Sequence, residues 1–202
     1  MNVLIVGPPG SGKGTQSLRI SRALAVSHIS TGELLREAIR LGTSLGNSAC
    51  ECVAAGCLVP DALVNELVRA RLELPATRAR GFLLDGFPRN VEQLDALLGW
   101  LLPTELDAAI ELQVPNDVVE RRLTTRGRTD DTAAGIHERL QAFARETAPM
   151  LRGLEHRGIL ISVDADRPVD DVTAGILQVL RSAGVNARRS PTLVDSPERS
   201  RS

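Results

Sequence analysis

A glycine-rich segment near the amino terminus has the residue types that bind phosphate. Residues 7–15 read Gly-Pro-Pro-Gly-Ser-Gly-Lys-Gly-Thr. Glycines let the backbone wrap closely around an anion, and the amides that open a helix present positive partial charge. Lys13 adds a cation that can reach the β- and γ-phosphates of a nucleotide. The segment therefore predicts a nucleoside triphosphate site whose contacts are Gly10, Ser11, Gly12, Lys13, Gly14 and Thr15.

Two features of this segment leave alternatives open. A tight strand-to-helix turn without a ligand uses glycine in the same way. Gly14 also follows the lysine where the strict pattern has Ser or Thr, and Thr15 comes one place later. In the strict pattern, the hydroxyl of the residue after the lysine contacts magnesium. Thr15 would make this contact from one position later, so the pattern indicates it less directly.

The elements around this segment decide between these readings. The apolar run 2–6 predicts a strand buried on both faces, and 13–25 predicts a helix that begins at the loop. The patterns predict further strands at 81–84, 108–114 and 159–163. They predict further helices at 32–41, 45–55, 61–72, 90–101, 116–126, 132–156 and 171–181, with Pro149 interrupting the long one near Thr147 and Ala148.

Alternating strands and helices predict an α/β fold with a parallel sheet and helices on both faces. Ligands of such sheets bind beyond the carboxyl ends of the strands. Residues 7–15 and 85–89 both follow strands, so the two loops should face one crevice.

Composition restricts the partners. The 202 residues carry a formal net charge of −1, which gives no reason to expect nucleic-acid or membrane partners. The first apolar run is too short for a signal or membrane segment, so we expect a cytoplasmic protein.

The cysteines and histidines do not have metal-site spacing. We expect the clustered Cys50, Cys52 and Cys57 to be small buried or half-buried side chains without metal or disulfide. His28, His137 and His156 are scattered, and we interpret them as surface or packing residues.

Several segments together resemble the adenylate kinase family. Ser-Thr-Gly-Glu-Leu-Leu-Arg at 30–36 and Asp-Gly-Phe-Pro-Arg at 85–89 look like that family's two signatures in order and spacing. Thr-Arg-Gly-Arg-Thr-Asp-Asp at 125–131 and Glu-Thr-Ala-Pro at 146–149 also resemble it. The resemblance extends from residue 1 to about 183. It implies the P-loop nucleoside-monophosphate kinase fold, an α/β fold with a five-stranded parallel sheet and helices on both faces.

The resemblance implies roles for arginines, which suit phosphate through bidentate contacts. Arg36 and Arg89 would clamp the AMP phosphate, and Arg128 and Arg139 would contact the transferring group as well as AMP. Arginines on the ATP side would be Arg122 near the base, Arg126 and Arg167. Taken singly, each arginine is more often a solvated surface charge.

Asp85 would hold Mg²⁺ through water, since magnesium keeps several waters and takes few carboxylates. Its alternative is a buried turn-former before Gly86. The catalytic set implied is Lys13, Arg36, Arg89, Arg126, Arg128, Arg139 and Asp85. Asp130 and Asp131 look like lid acids, with turn or helix-start roles as the alternative.

Acceptor choice in the family depends on residues around adenine. These would be Thr31, Gln93 and the backbone of Cys57, Leu58 and Val59, with the loop residues Gly86, Phe87 and Pro88 beside AMP. Gln93 can both donate to and accept from an adenine edge. Asn90 and Gln93 also resemble a helix capping box, and we favour the adenine contact.

The lid is short, because only Gly127 separates Arg126 from Arg128 where long-lid members insert a small sheet. We expect no zinc there. The expected organisation is a core of 1–29, 60–124 and 132–184, a helical AMP-binding excursion at 30–59, a lid at 125–131 and a disordered tail at 185–202. Residues 30–59 and 125–131 are expected to move to exclude water.

The function implied is reversible γ-phosphoryl transfer from Mg-ATP to AMP by a monomer that binds ATP, AMP and ADP. The alternatives are a UMP/CMP kinase, a GTP:AMP phosphotransferase, or a non-catalytic P-loop nucleotide-binding module.

Overall fold

A computed structural model describes residues 1–54, 59–126 and 132–184, with side chains described outside 51–54. The strands are β1 Asn2–Val6, β2 Ser27–Ser30, β3 Phe82–Asp85, β4 Ala108–Gln113 and β5 Leu160–Asp164. The helices are α1 Lys13–Leu24, α2 Thr31–Arg40, α3 Ser44–Ala54, α4 Asp61–Leu72, α5 Pro75–Arg80, α6 Val91–Leu101, α7 Asn116–Arg126, α8 Ala133–Ala142, α9 Ala148–His156 and α10 Val169–Ser182.

The described strands form one sheet in the order β2-β3-β1-β4-β5, and every neighbouring pair is parallel. This confirms the predicted fold class. The register pairs Ile5 of β1 with Asp85 of β3. The loops that follow these two strands therefore leave the sheet side by side, as the strand pattern predicted.

The core has two layers because β1 is buried on both faces. Leu4 and Val6 pack on one face with residues of α4, α6 and α9, while Val3 and Ile5 pack on the other with residues of α1 and α10. The continuous apolar run that predicted a doubly buried strand has this cause. Both faces hold β1, and hence the loop after it, in a fixed position.

Two elements were not assigned from the sequence. Strand β2 has the sequence Ser-His-Ile-Ser, in which only Ile29 is buried, so an apolar run is absent from this edge strand. Helix α5 is a six-residue segment that begins at Pro75. Six residues are too few for helical periodicity to be recognised in the sequence.

The long helix predicted at 132–156 is interrupted. Helices α8 and α9 are joined by a π-helical segment, Phe143–Thr147, and Pro149 lies in the first turn of α9. Proline has no N–H to donate to an α-helical hydrogen bond. The backbone hydrogen bonds just before it therefore change from the i to i−4 pattern of an α-helix to the i to i−5 pattern of a π-helix. The predicted interruption near Thr147 and Ala148 is confirmed, although its form is a π segment.

In the described part of the chain, the structure contains no helix that is both long and apolar enough to span a membrane.

The two-layer core gives a stability prediction. Replacing Leu4, which is 0% exposed, by alanine should lower the free energy of unfolding by about 2–5 kcal/mol, because the central strand gains a cavity. Leu102 is 75% exposed, and its replacement by alanine should change that free energy by no more than about 0.5 kcal/mol. Urea denaturation of both variants measures the difference, and equal losses would contradict this description of the core.

Candidate active site

The loop between β1 and α1 is shaped by glycine. Gly10 and Gly12 have φ angles of 80° and 94°, a region that L side chains rarely adopt. A Cβ at Gly10 would lie 2.9 Å from Cγ of Leu123 and 3.0 Å from the carbonyl oxygen of Val119, so the loop also packs tightly against α7. The sequence reading of these glycines as close-approach residues fits this geometry.

The start of α1 is open to an anion. Gly12 caps the helix without a side-chain hydrogen bond, and the first turn has no acidic residue. Its first amides therefore have no side-chain partner and point along the positive end of the helix dipole. The Ser11 hydroxyl is buried nearby without a hydrogen-bond partner, which suits a loop built to meet an added polar group.

Lys13 lies across this loop. Its Nζ donates hydrogen bonds to the carbonyl oxygens of Gly7 at 2.7 Å and Pro8 at 2.9 Å. Desolvation lowers the pKa of Lys13 to about 8, Asp85 opposes that change, and the charges of Arg89, Arg126 and Arg139 add to it. The ammonium is therefore held among other cations, where an anionic ligand would favour its charged form.

Asp85 ends β3 and is 9% exposed. Burial raises the pKa of its carboxyl group, while the charges of Lys13, His28 and Arg89 act in the opposite direction. A Cβ at Gly14 would lie 3.8 Å from Oδ2 of Asp85, so the carboxylate faces the first turn of α1. The carboxylate of Asp85 is thus placed between the loop and the cations.

This arrangement fits a magnesium ion carried by a nucleotide. Within the described ranges, no group of three or more His, Cys, Asp or Glu side chains can hold a metal. Mg²⁺ is commonly held by one or two carboxylates together with substrate phosphates and waters. Asp85 and the exposed Thr15 hydroxyl are the groups at the loop that fit such a role.

Arg89, Arg126 and Arg139 come close enough for their charges to act on Lys13. Arg89 Nε donates to the carbonyl oxygen of Gly86 at 2.8 Å, and Arg139 Nε donates to that of Gly135 at 3.1 Å. The Thr132 hydroxyl accepts from the Gly135 amide and caps α8, which puts Arg139 two turns into the helix. Four of the predicted cations thus meet.

The other predicted arginines lie elsewhere. Arg36 is exposed and folds along its own helix, with Nη1 3.2 Å from the position that a Cβ on Gly32 would take. Arg122 Nη2 donates to the carbonyl oxygen of Ala165 at 3.1 Å, and Arg167 pairs with Asp171 at 3.6 Å on the surface. Arg128, Asp130 and Asp131 fall outside the described residues.

The second loop is joined to α2 through Thr31. The buried Thr31 hydroxyl donates to the carbonyl oxygen of Gly86 at 3.0 Å, and a Cβ on Gly86 would lie 2.6 Å from that hydroxyl. Phe87 is 1% exposed and stacks on Trp100, with ring centroids 6.1 Å apart. Since the core takes the Phe87 side chain, any contact of this residue with a nucleotide must use its backbone.

Gln93 makes one of the two contacts of the capping box that the sequence left as the alternative, and its side chain binds the N–H of Arg89 instead of that of Asn90. The backbone N–H of Gln93 donates to Asn90 Oδ1 at 2.8 Å, and through this hydrogen bond Asn90 caps α6. The side-chain Oε1 of Gln93 accepts from the Arg89 amide at 2.8 Å, and Nε2 donates to Asp61 Oδ1 at 2.8 Å. Its predicted contact with adenine stays a prediction.

Two positions predicted to surround the acceptor base, Cys57 and Leu58, lie outside the described residues, as does the predicted tail. Val59 is half-buried and packs against the core. Cys50 is exposed and free, so the expectation of a buried or half-buried side chain was wrong for this cysteine. It lies on an outer face of α3.

Three residues at this site were not singled out from the sequence. Thr147 donates from Oγ1 to the carbonyl oxygen of Arg89 at 2.7 Å, and the segment 146–149 that contains it had already stood out. Gln16 accepts from Thr173 Oγ1 at 2.7 Å and donates to the carbonyl oxygen of Val169 at 3.0 Å, which fixes α1 to α10. Asp61 looked like a helix start, and no local pattern indicated its distant partners.

A phosphate loop, a cluster of cations and one carboxylate thus meet at the carboxyl edge of a parallel sheet. Such a site can bind nucleotide phosphates and stabilise the charge of a phosphoryl group in transfer. The fold and the site together define an α/β phosphate-loop phosphotransferase.

Comparison with known proteins identifies the family. The adenylate kinase family profile matches residues 5–159. Adenylate kinases of Corynebacterium urealyticum and Mycobacterium bovis are each 46% identical over 182 residues, and that of Rhodococcus erythropolis is 44% identical. Each alignment covers 89% of this chain and 99% of the relative. The chain belongs to the adenylate kinase family and is a nucleoside-monophosphate kinase.

The crowding around Lys13 gives a pH prediction. Phosphates favour the protonated amine, so binding of a nucleoside triphosphate raises the pKa of Lys13 above its value of about 8 in the free protein. The affinity for Mg-ATP is therefore highest below pH 8. It falls by about tenfold for each pH unit above that value. Calorimetric titration with Mg-ATP between pH 6.5 and 9.5 measures this.

The control for this titration is Lys13→Arg, whose guanidinium stays charged throughout the range. Its affinity should vary by less than about threefold between the two ends of the titration. A wild-type affinity that is flat above pH 8 would contradict the description of Lys13.

Proposed function

We propose that this protein catalyses reversible transfer of the γ-phosphoryl group from Mg-ATP to AMP, giving two ADP. The observation that carries the proposal is the gathering of Lys13, Arg89, Arg126 and Arg139 around Asp85 at the phosphate loop. Two nucleotides bring many negative oxygens together, and catalysis of their reaction is mainly positioning and electrostatic stabilisation. A nucleotide-binding module without turnover has less need for so many converging cations.

The donor phosphates bind at the loop from Gly10 to Thr15. Their oxygens accept hydrogen bonds from the amides that open α1, and Lys13 exchanges its carbonyl partners for the β- and γ-phosphates. Arg122 and Arg167 border the donor nucleotide, and Arg126 adds charge to its phosphates. Fixing the donor in this way leaves its γ-phosphorus facing the second loop.

The acceptor phosphate binds at the second loop. Arg36 and Arg89 clamp it with bidentate contacts, and Arg128 and Arg139 neutralise charge on the group in transfer. Arg36 lies on α2, and its side chain reaches this site by rotating away from Gly32. Thr31, Gln93, the backbone of residues 57–59 and the loop residues 86–88 surround the adenine and the phosphate of AMP.

Asp85 would hold magnesium through water, together with the donor phosphates, and the ion would supply positive charge against the oxygens of the donor. Asp85 need not act as a base, since the nucleophile is an AMP phosphate oxygen that carries no proton to remove. Its carboxylate would accept hydrogen bonds from the waters of the ion, and it attracts Lys13 and Arg89.

Water must be excluded before transfer, since the γ-phosphoryl group would otherwise be hydrolysed. We assign this task to movement of residues 30–59 and 125–131 against the core of 1–29, 60–124 and 132–184. The protein acts as a cytoplasmic monomer in this proposal.

The reaction is tested by supplying each nucleoside monophosphate with Mg-ATP and following diphosphate formation. Selective formation of ADP from AMP is the expected result. UDP or CDP as the main product would show a pyrimidine monophosphate kinase, a rate that rises when GTP replaces ATP would show a GTP:AMP phosphotransferase, and binding without turnover would show a binding module. Each of these three results contradicts the proposal.

Arg89 gives a sharper test of the site. Its replacement by alanine should lower both kcat and kcat/KM by at least about tenfold to a hundredfold, because a cation that contacts the transferring group is lost. The matched control is Arg181→Ala, since Arg181 is an exposed residue of the last turn of α10. Steady-state rates that are equal in the two variants would remove Arg89 from the reaction.

A further inference from the structure

Asp61, the first residue of α4, holds two amide side chains of the neighbouring helix start. Its Oδ1 accepts from Gln93 Nε2 at 2.8 Å, and its Oδ2 accepts from Asn90 Nδ2 at 2.7 Å. Asn90 in turn uses its Oδ1 to accept from the Gln93 backbone amide. The carboxylate therefore closes a network around the Gln93 side chain.

This network allows the Gln93 amide only one orientation. The Arg89 backbone N–H can only donate, so the Gln93 atom that faces it must be the oxygen Oε1, which lies at 2.8 Å. An ionised Asp61 can only accept, so the atom that faces it must be Nε2. Turning the amide by 180° would set oxygen against carboxylate and N–H against N–H.

With the partners that the described part of the chain provides, the orientation leaves one donor and one acceptor for a ligand. Of the two Nε2 protons, one is bound by Asp61, and of the two Oε1 lone pairs, one is used by Arg89. Gln93 is 2% exposed, so water does not readily satisfy what remains, and a base that reaches it can do so.

The free donor and acceptor match adenine. The 6-amino group of adenine donates to Oε1, and its N1 accepts from Nε2. Hypoxanthine has a 6-oxo group and an N1–H, so each contact becomes acceptor against acceptor or donor against donor. A freely turning amide would remove this mismatch by rotating, which the network around Gln93 prevents.

We propose that Asp61 is a specificity-determining residue that, by fixing the orientation of the Gln93 amide, makes the acceptor site select AMP over IMP. The inference rests on the proposed function, in which Gln93 contacts the acceptor base. Asp61 acts through Gln93 and is a positioning residue. A purely structural role at the start of α4 would weaken both acceptors equally.

The test compares kcat/KM for AMP and IMP at saturating Mg-ATP. The wild-type protein should prefer AMP by at least about a hundredfold, as expected of a site that pairs with a polar edge. In Asp61→Asn, one carboxamide oxygen faces two donor amides. Gln93 can then turn its own oxygen toward the new NH₂ group, at the cost of the hydrogen bond from the Arg89 N–H, so that its two orientations become closer in free energy. The ratio of the two kcat/KM values should then fall by at least about tenfold.

The matched control is Glu66→Gln, which removes an exposed carboxylate of the same helix and should leave the ratio unchanged within about twofold. An unchanged ratio in Asp61→Asn, with the two rates lowered together or not at all, would overturn the inference. So would a wild-type preference for AMP below about tenfold, a result that does not depend on any variant folding.

Gln93→Leu separates this inference from the proposed function. A lowered kcat/KM for AMP in Gln93→Leu, with an unchanged ratio in Asp61→Asn, overturns the inference alone. An unchanged kcat/KM for AMP in Gln93→Leu overturns it too, because Gln93 then does not contact the base. Absence of ADP formation by the wild-type protein contradicts the proposed function itself.

Discussion

Mutual repulsion among positive charges, opposed by one buried carboxylate, is the interaction on which this site depends. Arg89, Arg126 and Arg139 repel Lys13 at the carboxyl edge of the sheet, and Asp85 attracts both Lys13 and Arg89. Asp61 and Glu146 also attract Arg89, with smaller effects than that of Asp85. Desolvation adds to the strain, because it disfavours charge on both Lys13 and Asp85. A nucleotide phosphate bound among these cations would relieve the repulsion.

The packing and hydrogen bonds of the core hold these charges close together. Strand β1 is packed on both faces, and its register with β3 sets the phosphate loop beside Asp85. Hydrogen bonds of Gln16 fix α1 to α10, and Thr147 fixes the backbone of Arg89. A rigid core therefore supplies preorganised charge, which is the main means by which proteins catalyse phosphoryl transfer.

The sequence predicted those elements whose residues are close together in the chain. The buried apolar run and the glycines after it indicated β1 and the phosphate loop, and strand β2 was missed because only Ile29 in it is apolar and buried. The partners of Gln93 lie 4 residues away at Arg89 but 32 away at Asp61. A contact of that second kind leaves no periodicity in the sequence, so the network that orients Gln93 was visible only in the structure.

The opposition of Asp85 to the cations is the central claim, and the titration of Lys13 measures it directly. NMR of the Lys13 side chain, followed against pH in the free protein and in Asp85→Asn, compares the pKa with and without the carboxylate. The account predicts a lower pKa for Lys13 in the variant, since the attraction of Asp85, the one carboxylate of the described residues that acts on it, is removed. An unchanged or higher pKa would contradict it.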